Sequence, residues 1–400
     1  MNLNYNHTIR AAYIAYITQA VINNFAPLLF FFFSDSYGVT IERIGMLVGV
    51  NFGAQLIMNF LGAYIADKAG YRLLVVSGHL FSAAGLIGLG VLPGLLPEAR
   101  AYAGLLTAVF LYGIGGGIME VVISPIVEAC PTDPKKKSAV MSLLHSFYCW
   151  GLLAVVLIST LFFVVFGIEN WRILACLWAV IPILNAVYFT RVPIMQLNQG
   201  GESMKIRGLA SSNLFWLLML LIMCAGASEL SMVQWASFFA ESGLGVSKTA
   251  GDLAGPGMFA VLMGLSRVFY SKFSEKINLQ KFIIGSGCLC VAAYLTASFS
   301  PFPLLALVAS ALTGLSVGIM WPGTLSIAAE KCPQGGTAMF ALLALAGNLG
   351  AGGGPMIVGM AAGAAGGNIR AGLSFGTIFP VLLVIGFAVL MIRFKRGGQI

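Results

Sequence analysis

Glu120 stands inside GIMEVVISPIVEAC, an apolar run long enough to cross a bilayer, and a carboxylate in such a place is a functional candidate by default. Holding it at a membrane centre costs about 2.5–3.5 kcal/mol even on the lenient insertion scale, so it is retained only beside water, a proton or a partner. His145 offers that partner. Glu120 lies ten residues before Cys130, where one helix is expected to end, and His145 seven residues after Ser138, where the next begins. At about 1.5 Å per residue the two side chains reach roughly 15 and 10 Å above the same membrane face on antiparallel neighbours. An acid and an imidazole at one depth can titrate together and so carry a proton through a cycle. Glu229, seventeen residues into the seventh apolar run, is a second candidate acid.

The elements that hold these groups follow from composition. Of 400 residues, 59% are hydrophobic and 9% charged, with a mean hydropathy of +0.93. An ordinary soluble domain carries about 25% charged residues, so this is an integral membrane protein. The apolar runs are near span length and lack the alternation of barrel strands, so they are helices. Twelve spans are expected, the first over 11–34 and the last over 371–393. Assigning both ends and the even-to-odd loops to one side gives that side sixteen Lys and Arg, against five on the other, with Arg267 left inside a helix. That bias places both termini in the cytoplasm of an inner-membrane protein. It also accounts for the net charge of +8 without a nucleic-acid partner.

The chain repeats itself. Gly117-Ile118-Met119 returns as Gly318-Ile319-Met320, Glu128-x-Cys130-Pro131 as Glu330-x-Cys332-Pro333, and SAVMSLL from Ser138 as TAMFALL from Thr337. This is a duplicated half: 1–191 and 212–400 form two six-helix units, and the polar stretch 192–211 is a flexible cytoplasmic linker. Glu120 corresponds to Trp321 and His145 to Ala344, so the frame repeats while the ionisable pair does not. Spans three, six, nine and twelve carry few strongly polar side chains beyond His79 and Asn185, and His79 reads as structural. These spans are expected to support the others, which surround a central cavity. In span eleven the run from Gly350 to Pro355 lacks the Lys-Ser/Thr of a phosphate loop and reads as a hinge or a close-packing site.

Gly62-AYIA-Asp67-Lys68-Ala69-Gly70-Tyr71-Arg72, between spans two and three, resembles the G-x(4)-D-[RK]-x-G-[RK]-[RK] signature of the major facilitator superfamily, with Tyr71 departing at one basic position. Spans four, five and seven narrow the resemblance. GIMEVVISP, LLHSFYCWG and Gly226-x-x-Glu229-x(5)-Trp235 are similar to motifs of its fucose–proton symporter branch, with Ser124 in place of an Asn before Pro125. Symporters of that branch can carry an Asp in span one, where this chain has Asn23 and Asn24, so proton coupling, sodium coupling and uncoupled passage all stay open.

The resemblance implies a twelve-helix all-α fold in two pseudo-symmetric halves, no cofactor, and a monomer that moves a small solute by alternating access. Glu120, His145 and Glu229 are then the proton-coupling candidates, with H+ as the ion. Asn23, Asn24, Gln234 and Asn348 would bond the hydroxyls of a hexose-type sugar, and Trp235 and Trp321 would cover its C–H surface. Asp67 and Arg72, with Glu128, Arg267 and Glu330, are candidates for gating. The rival on the same fold is an exporter of drugs or lipophilic compounds, favoured by the many Phe and Met residues. An intramembrane enzyme is disfavoured, because no H-E-x-x-H, paired intramembrane Asp or Ser–Lys arrangement occurs in the sequence.

Overall fold

A bilayer offers no water to backbone N–H and C=O groups, so a chain this apolar satisfies them within helices. The computed structural model describes the backbone of residues 3–97, 100–131, 134–195, 209, 211–273, 276–332 and 336–395; within its helices the side chains of 63, 64, 66, 67, 134–139, 142, 271, 336–338 and 393–395 are not described. Every regular element among the described residues is helical, and twelve helical spans are long and apolar enough to cross a membrane. They are α1 (Tyr5–Tyr37), α2 (Ile41–Gly62), α3 (Tyr71–Leu95), α4 (Ala101–Ala129), α5 (Leu143–Phe166) and α6 (Ile168–Arg191), then α7 (Asn213–Val233), α8 (Lys248–Tyr270), α9 (Leu279–Phe299), α10 (Pro303–Lys331), α11 (Met339–Ala364) and α12 (Ile369–Ile392). The all-helical, twelve-span expectation is met.

Two compact units divide the chain: Met1–Val39 with Leu47–Gln199, and Thr40–Met46 with Gly200–Ile400. Most of the stretch read as a linker lies outside the described residues.

In the first unit, α4 is held close to both α2 and α3 by its glycines. A Cβ on Gly113 would stand 2.7 Å from Asn51 O on α2, and one on Gly117 2.5 Å from Gln55 O on the same helix. Gly115 turns the other way, onto the backbone of Gly78 and Ser82 in α3. The GIGGG run is thus a three-helix contact that admits no side chain, the small-residue packing used where lipid supplies no hydrophobic drive. The polar exceptions of spans three and six meet each other: Asn185 Nδ2 lies 2.8 Å from His79 Nε2 and also donates to Ala11 O at 3.0 Å. His79 Nδ1–H donates to Val75 O at 2.7 Å, which fixes the tautomer that leaves Nε2 as acceptor. Both ring nitrogens of His79 are thus engaged within the first unit. Leu177 and Leu184 on α6 and Leu73 and Leu95 on α3 are among the exposed apolar side chains that suit hydrocarbon.

In the second unit, the glycines of α11 bring it against α7. Gly350 meets Met223 O and Gly354 meets Ala227, while Gly347 lies under the ring of Trp321. The run from Gly350 is therefore a close-packing face. The helix of α7 ends at Val233 and continues, broken, through Ala236–Phe238 into a π turn, Phe239–Gly243. Similarly, α10 breaks between Val317 and Met320.

Candidate functional site

The close approach of α4 to α2 sets up the first cluster. With Gly117 seated on Gln55, the residues about one turn further along each helix, Glu120 and Asn59, come within reach, and Asn59 Nδ2 donates to Glu120 Oε2 at 2.9 Å. Ser124, one turn beyond Glu120, meets the hydroxyl of Tyr16 on α1 at 3.2 Å. The same hydroxyl lies 3.2 Å from His145 Nδ1 on α5 and within Coulombic reach of Glu120. Tyr16 and His145 also meet edge to face, with ring centroids 5.3 Å apart. Tyr16 thus meets His145 and feels the charge of Glu120, and it is the group that sequence reasoning missed. Its signal was present: Tyr16 precedes Asn23 by two helical turns and shares its face.

A second layer of amides lies next to this cluster. Asn23 Oδ1 accepts from Asn51 Nδ2 at 3.0 Å and Gln55 Nε2 at 2.9 Å, and Gln55 Nε2 also donates to Asn51 Oδ1 at 3.0 Å. All three are buried, so the triangle satisfies groups that would otherwise be costly. Asn24 Nδ2 donates to Ala20 O at 2.9 Å and Tyr148 OH at 3.3 Å. The α-helix of α1 stops at Asn24 because Pro27 has no N–H for the Asn23 carbonyl and starts a 3-10 turn, Ala26–Leu29. Asn51, Gln55 and Asn59 recur every four residues and form one polar stripe on α2.

The second unit holds its own ionisable pair. Arg267 on α8 lies within Coulombic reach of Glu229 on α7. It is steered there by a backbone defect: Pro322 lacks the N–H that would bond Gly318 O, and Arg267 Nε donates to that carbonyl at 3.2 Å. Arg267, expected at a gate, is therefore the electrostatic partner of a candidate coupling acid. Trp321 lies over Gly226 and Gly347 and is half-buried; Gln234 and Asn348 are buried, the latter 7% exposed.

Two other residues differ from expectation. Trp235 is fully buried: its indole N–H donates to Pro355 O at 3.0 Å, its ring lies on Gly359, and Phe238 meets it edge to face at 5.5 Å. It anchors the broken end of α7 to α11 and presents no face to a solute in this structure. Arg72, expected at a gate, gives Nη1–H to Phe189 O at 2.6 Å and Nη2–H to Val192 O at 2.9 Å. It caps the terminal carbonyls of α6, a helix-end role that ties α3 to α6 within one unit. Glu330 pairs at 2.7 Å with its neighbour Lys331 and is exposed. Glu128 is exposed near the end of α4, and the side chain of Asp67 lies outside the described residues.

Twelve spans in two units, each carrying ionisable groups at membrane depth on glycine-packed helices, define a polytopic helical membrane protein of the transporter kind. Over residues 11–355 the sequence matches the family model of the Major Facilitator Superfamily, and the chain belongs to that family. No curated protein sequence matches it. Among solved structures, it is similar to a bacterial homologue of the human lysosomal transporter Spinster in an inward-facing, occupied conformation, with a TM-score of 0.73 at 15% identity over 98% of this chain and 97% of that one. The D-xylose–proton symporter matches with a TM-score of 0.75 at 14% identity over 95% of each chain. A mutant of the nucleoside transporter NupG matches with a TM-score of 0.76 at 13% identity over 96% of this chain and 99% of that one. At these identities the likeness is one of fold.

Proposed function

We propose that this protein is a secondary active transporter that moves a small polar solute of the hexose type across the cytoplasmic membrane by alternating access, driven by protons. The observation that carries the reading is the chain of groups around Glu120: an acid bonded to Asn59, with the Tyr16 hydroxyl between Ser124 and His145. Glu120 carries the proton, and Tyr16, which feels its charge and is hydrogen-bonded to His145, couples the titration of the acid to that of the imidazole. The adjoining Asn23, Asn51, Gln55 and Asn24 present the kind of amide set that recognises hydroxyls.

Two comparisons support the substrate class. The D-xylose–proton symporter couples a sugar to protons by its name, and NupG is a nucleoside transporter, so both take ring-bearing polar solutes. The narrower likeness to fucose–proton symporters is carried by the motifs around Glu120, His145 and Glu229. The distribution of Lys and Arg supports cytoplasmic termini. The test is uptake of a panel of tritiated hexoses and nucleosides into proteoliposomes, with and without a pH gradient. Glu120→Gln retains an oxygen for Asn59 but holds no exchangeable acid proton, so it is expected to abolish gradient-driven uptake while solute exchange survives. Unchanged gradient-driven uptake would reject Glu120 as the carrier, and dye efflux without sugar uptake would favour an exporter of lipophilic compounds.

A further inference from the structure

A third set of charges lies apart from both clusters, at the hairpin that joins α7 to α8. Lys248 Nζ stands 2.7 Å from Asp252 Oδ1 and 3.3 Å from Glu241 Oε1. The Asp252 side chain is 0% exposed, that of Glu241 9% and that of Lys248 17%. One ammonium thus faces two carboxylates in a place nearly closed to solvent. With both acids ionised, two carboxylates share one ammonium at close range, a like-charge contact that such burial disfavours.

The hydroxyl of Ser237 is shared by all three charged groups. Ser237 Oγ accepts from Lys248 Nζ at 2.9 Å and donates its single proton to Asp252 Oδ1. Glu241 Oε1 lies 3.2 Å from the same oxygen. One hydroxyl proton serves only one of these carboxylates at a time, so with both acids ionised one of them faces Ser237 Oγ with no proton between the oxygens. Lys248 stands nearer to Asp252 than to Glu241, at 2.7 against 3.3 Å, so Glu241 is the acid held less closely by the ammonium.

The backbone around the cluster is irregular on both arms. Glu241 sits in the π turn Phe239–Gly243, and a second π turn, Leu253–Gly257, begins one residue after Asp252. Such turns replace regular helical bonding and recur at functional sites. The arms are in close contact, since Gly251 packs on Ala240 with Glu241 Cγ beside it. Among the described residues, the charged groups on the elements packed most closely against the Glu241 turn are Lys248 and Asp252 on α8 and Arg370 on α12, which is bonded to Gly243 O at 3.2 Å and Ser300 O at 2.8 Å.

We propose that Glu241 is a proton-binding group that locks the α7–α8 hairpin when protonated and loosens it when ionised, a pH-responsive latch separate from the Glu120 cluster. The proposal does not depend on Glu120 carrying the coupling proton. Burial pushes the Glu241 carboxyl above the usual carboxylate range; Lys248 pulls it back down, the Asp252 charge raises it, and the bonds to Lys248 and Ser237 lower it. A group raised on folding lends stability that is complete below its ordinary value and is lost as pH rises through its folded value. The hairpin is therefore tightest at acidic pH.

The test uses the purified full-length chain. Difference infrared spectra over a pH series follow the protonated-carboxyl stretch, and amide exchange, corrected for its intrinsic pH dependence, follows residues 236–257. The wild type is expected to lose a carboxyl band as pH rises while exchange in the hairpin accelerates. Glu241→Gln should lack that band and keep the hairpin slow at every pH, and Glu120→Gln should leave both signals of Glu241 in place. Asp252→Asn removes the like charge and should move the midpoint to lower pH. A band that titrates in Glu241→Gln as in wild type, or a midpoint unmoved in Asp252→Asn, overturns the proposal.

Discussion

A single methyl group at Gly117 tests whether the approach of α4 to α2 is what positions Glu120. In Gly117→Ala the new Cβ would stand 2.5 Å from Gln55 O and 2.7 Å from both Gln55 Cα and Met58 Cβ. Two of these are backbone atoms that cannot swing aside. Ordinary contact begins near 3.4 Å, so the helices must part by about 0.9 Å, the difference between 3.4 and 2.5. If the Asn59–Glu120 bond of 2.9 Å stretches by the same amount it reaches about 3.8 Å, beyond any useful hydrogen bond. Overpacking of this kind costs about 1–3 kcal/mol, and losing a bond to a charged group adds about 1.5–3 kcal/mol. The control is Gly53→Ala on α2, where nothing lies within 4 Å of the added atom. There the helical propensity of Ala is expected to raise stability by about 0.5–1 kcal/mol. The assay is the thermal midpoint of both variants in one detergent, followed by gradient-driven uptake. The reasoning is refuted if Gly117→Ala melts at or above Gly53→Ala, or if it melts lower yet transports like wild type.

The other expectations concern the charge pair and the bridging hydroxyl. Arg267→Met removes the donor to Gly318 O and a positive charge that acts on Glu229, and is expected to cost about 1.5–3 kcal/mol, the range for a hydrogen bond from a charged group, read as a lowered thermal midpoint; adding Glu229→Gln to it should recover part of that loss. A double variant no more stable than Arg267→Met would show that the two side chains do not compensate each other. Tyr16→Phe keeps the ring packed on His145 while removing the hydroxyl that meets Ser124 and His145, at about 1 kcal/mol per bond lost. Solute exchange should persist while the pH profile of uptake shifts, and an unshifted profile would remove Tyr16 from the proton route.

The span count, the duplication and the oddity of Glu120 were legible in the amino-acid sequence because hydropathy and repetition are properties of the chain as a string. An acid among apolar residues stands out without any knowledge of its neighbours, and counting residues from the helix ends put Glu120 and His145 at similar depths. Rotation about the helix axis was not legible. In a soluble helix the apolar stripe marks the inward face, but here lipid and protein interior are equally apolar, so the pattern leaves each helix free to turn.

That rotation decides most of the site. Only the tertiary structure turns Tyr16 toward His145 and Asn59 toward Glu120, and it does so through the glycines of α4, which fix how closely the helices meet. Arg267 and Glu229 lie on different helices, and the carbonyl that guides Arg267 is freed by Pro322 on a third. The same freedom explains Trp235 and Arg72: their types suit sugar binding and gating, but their surroundings commit one to Pro355 and Gly359 and the other to the end of α6. Residue type and depth were properties of the string; partnership was decided by the contact surfaces between helices, which form only when the chain is packed.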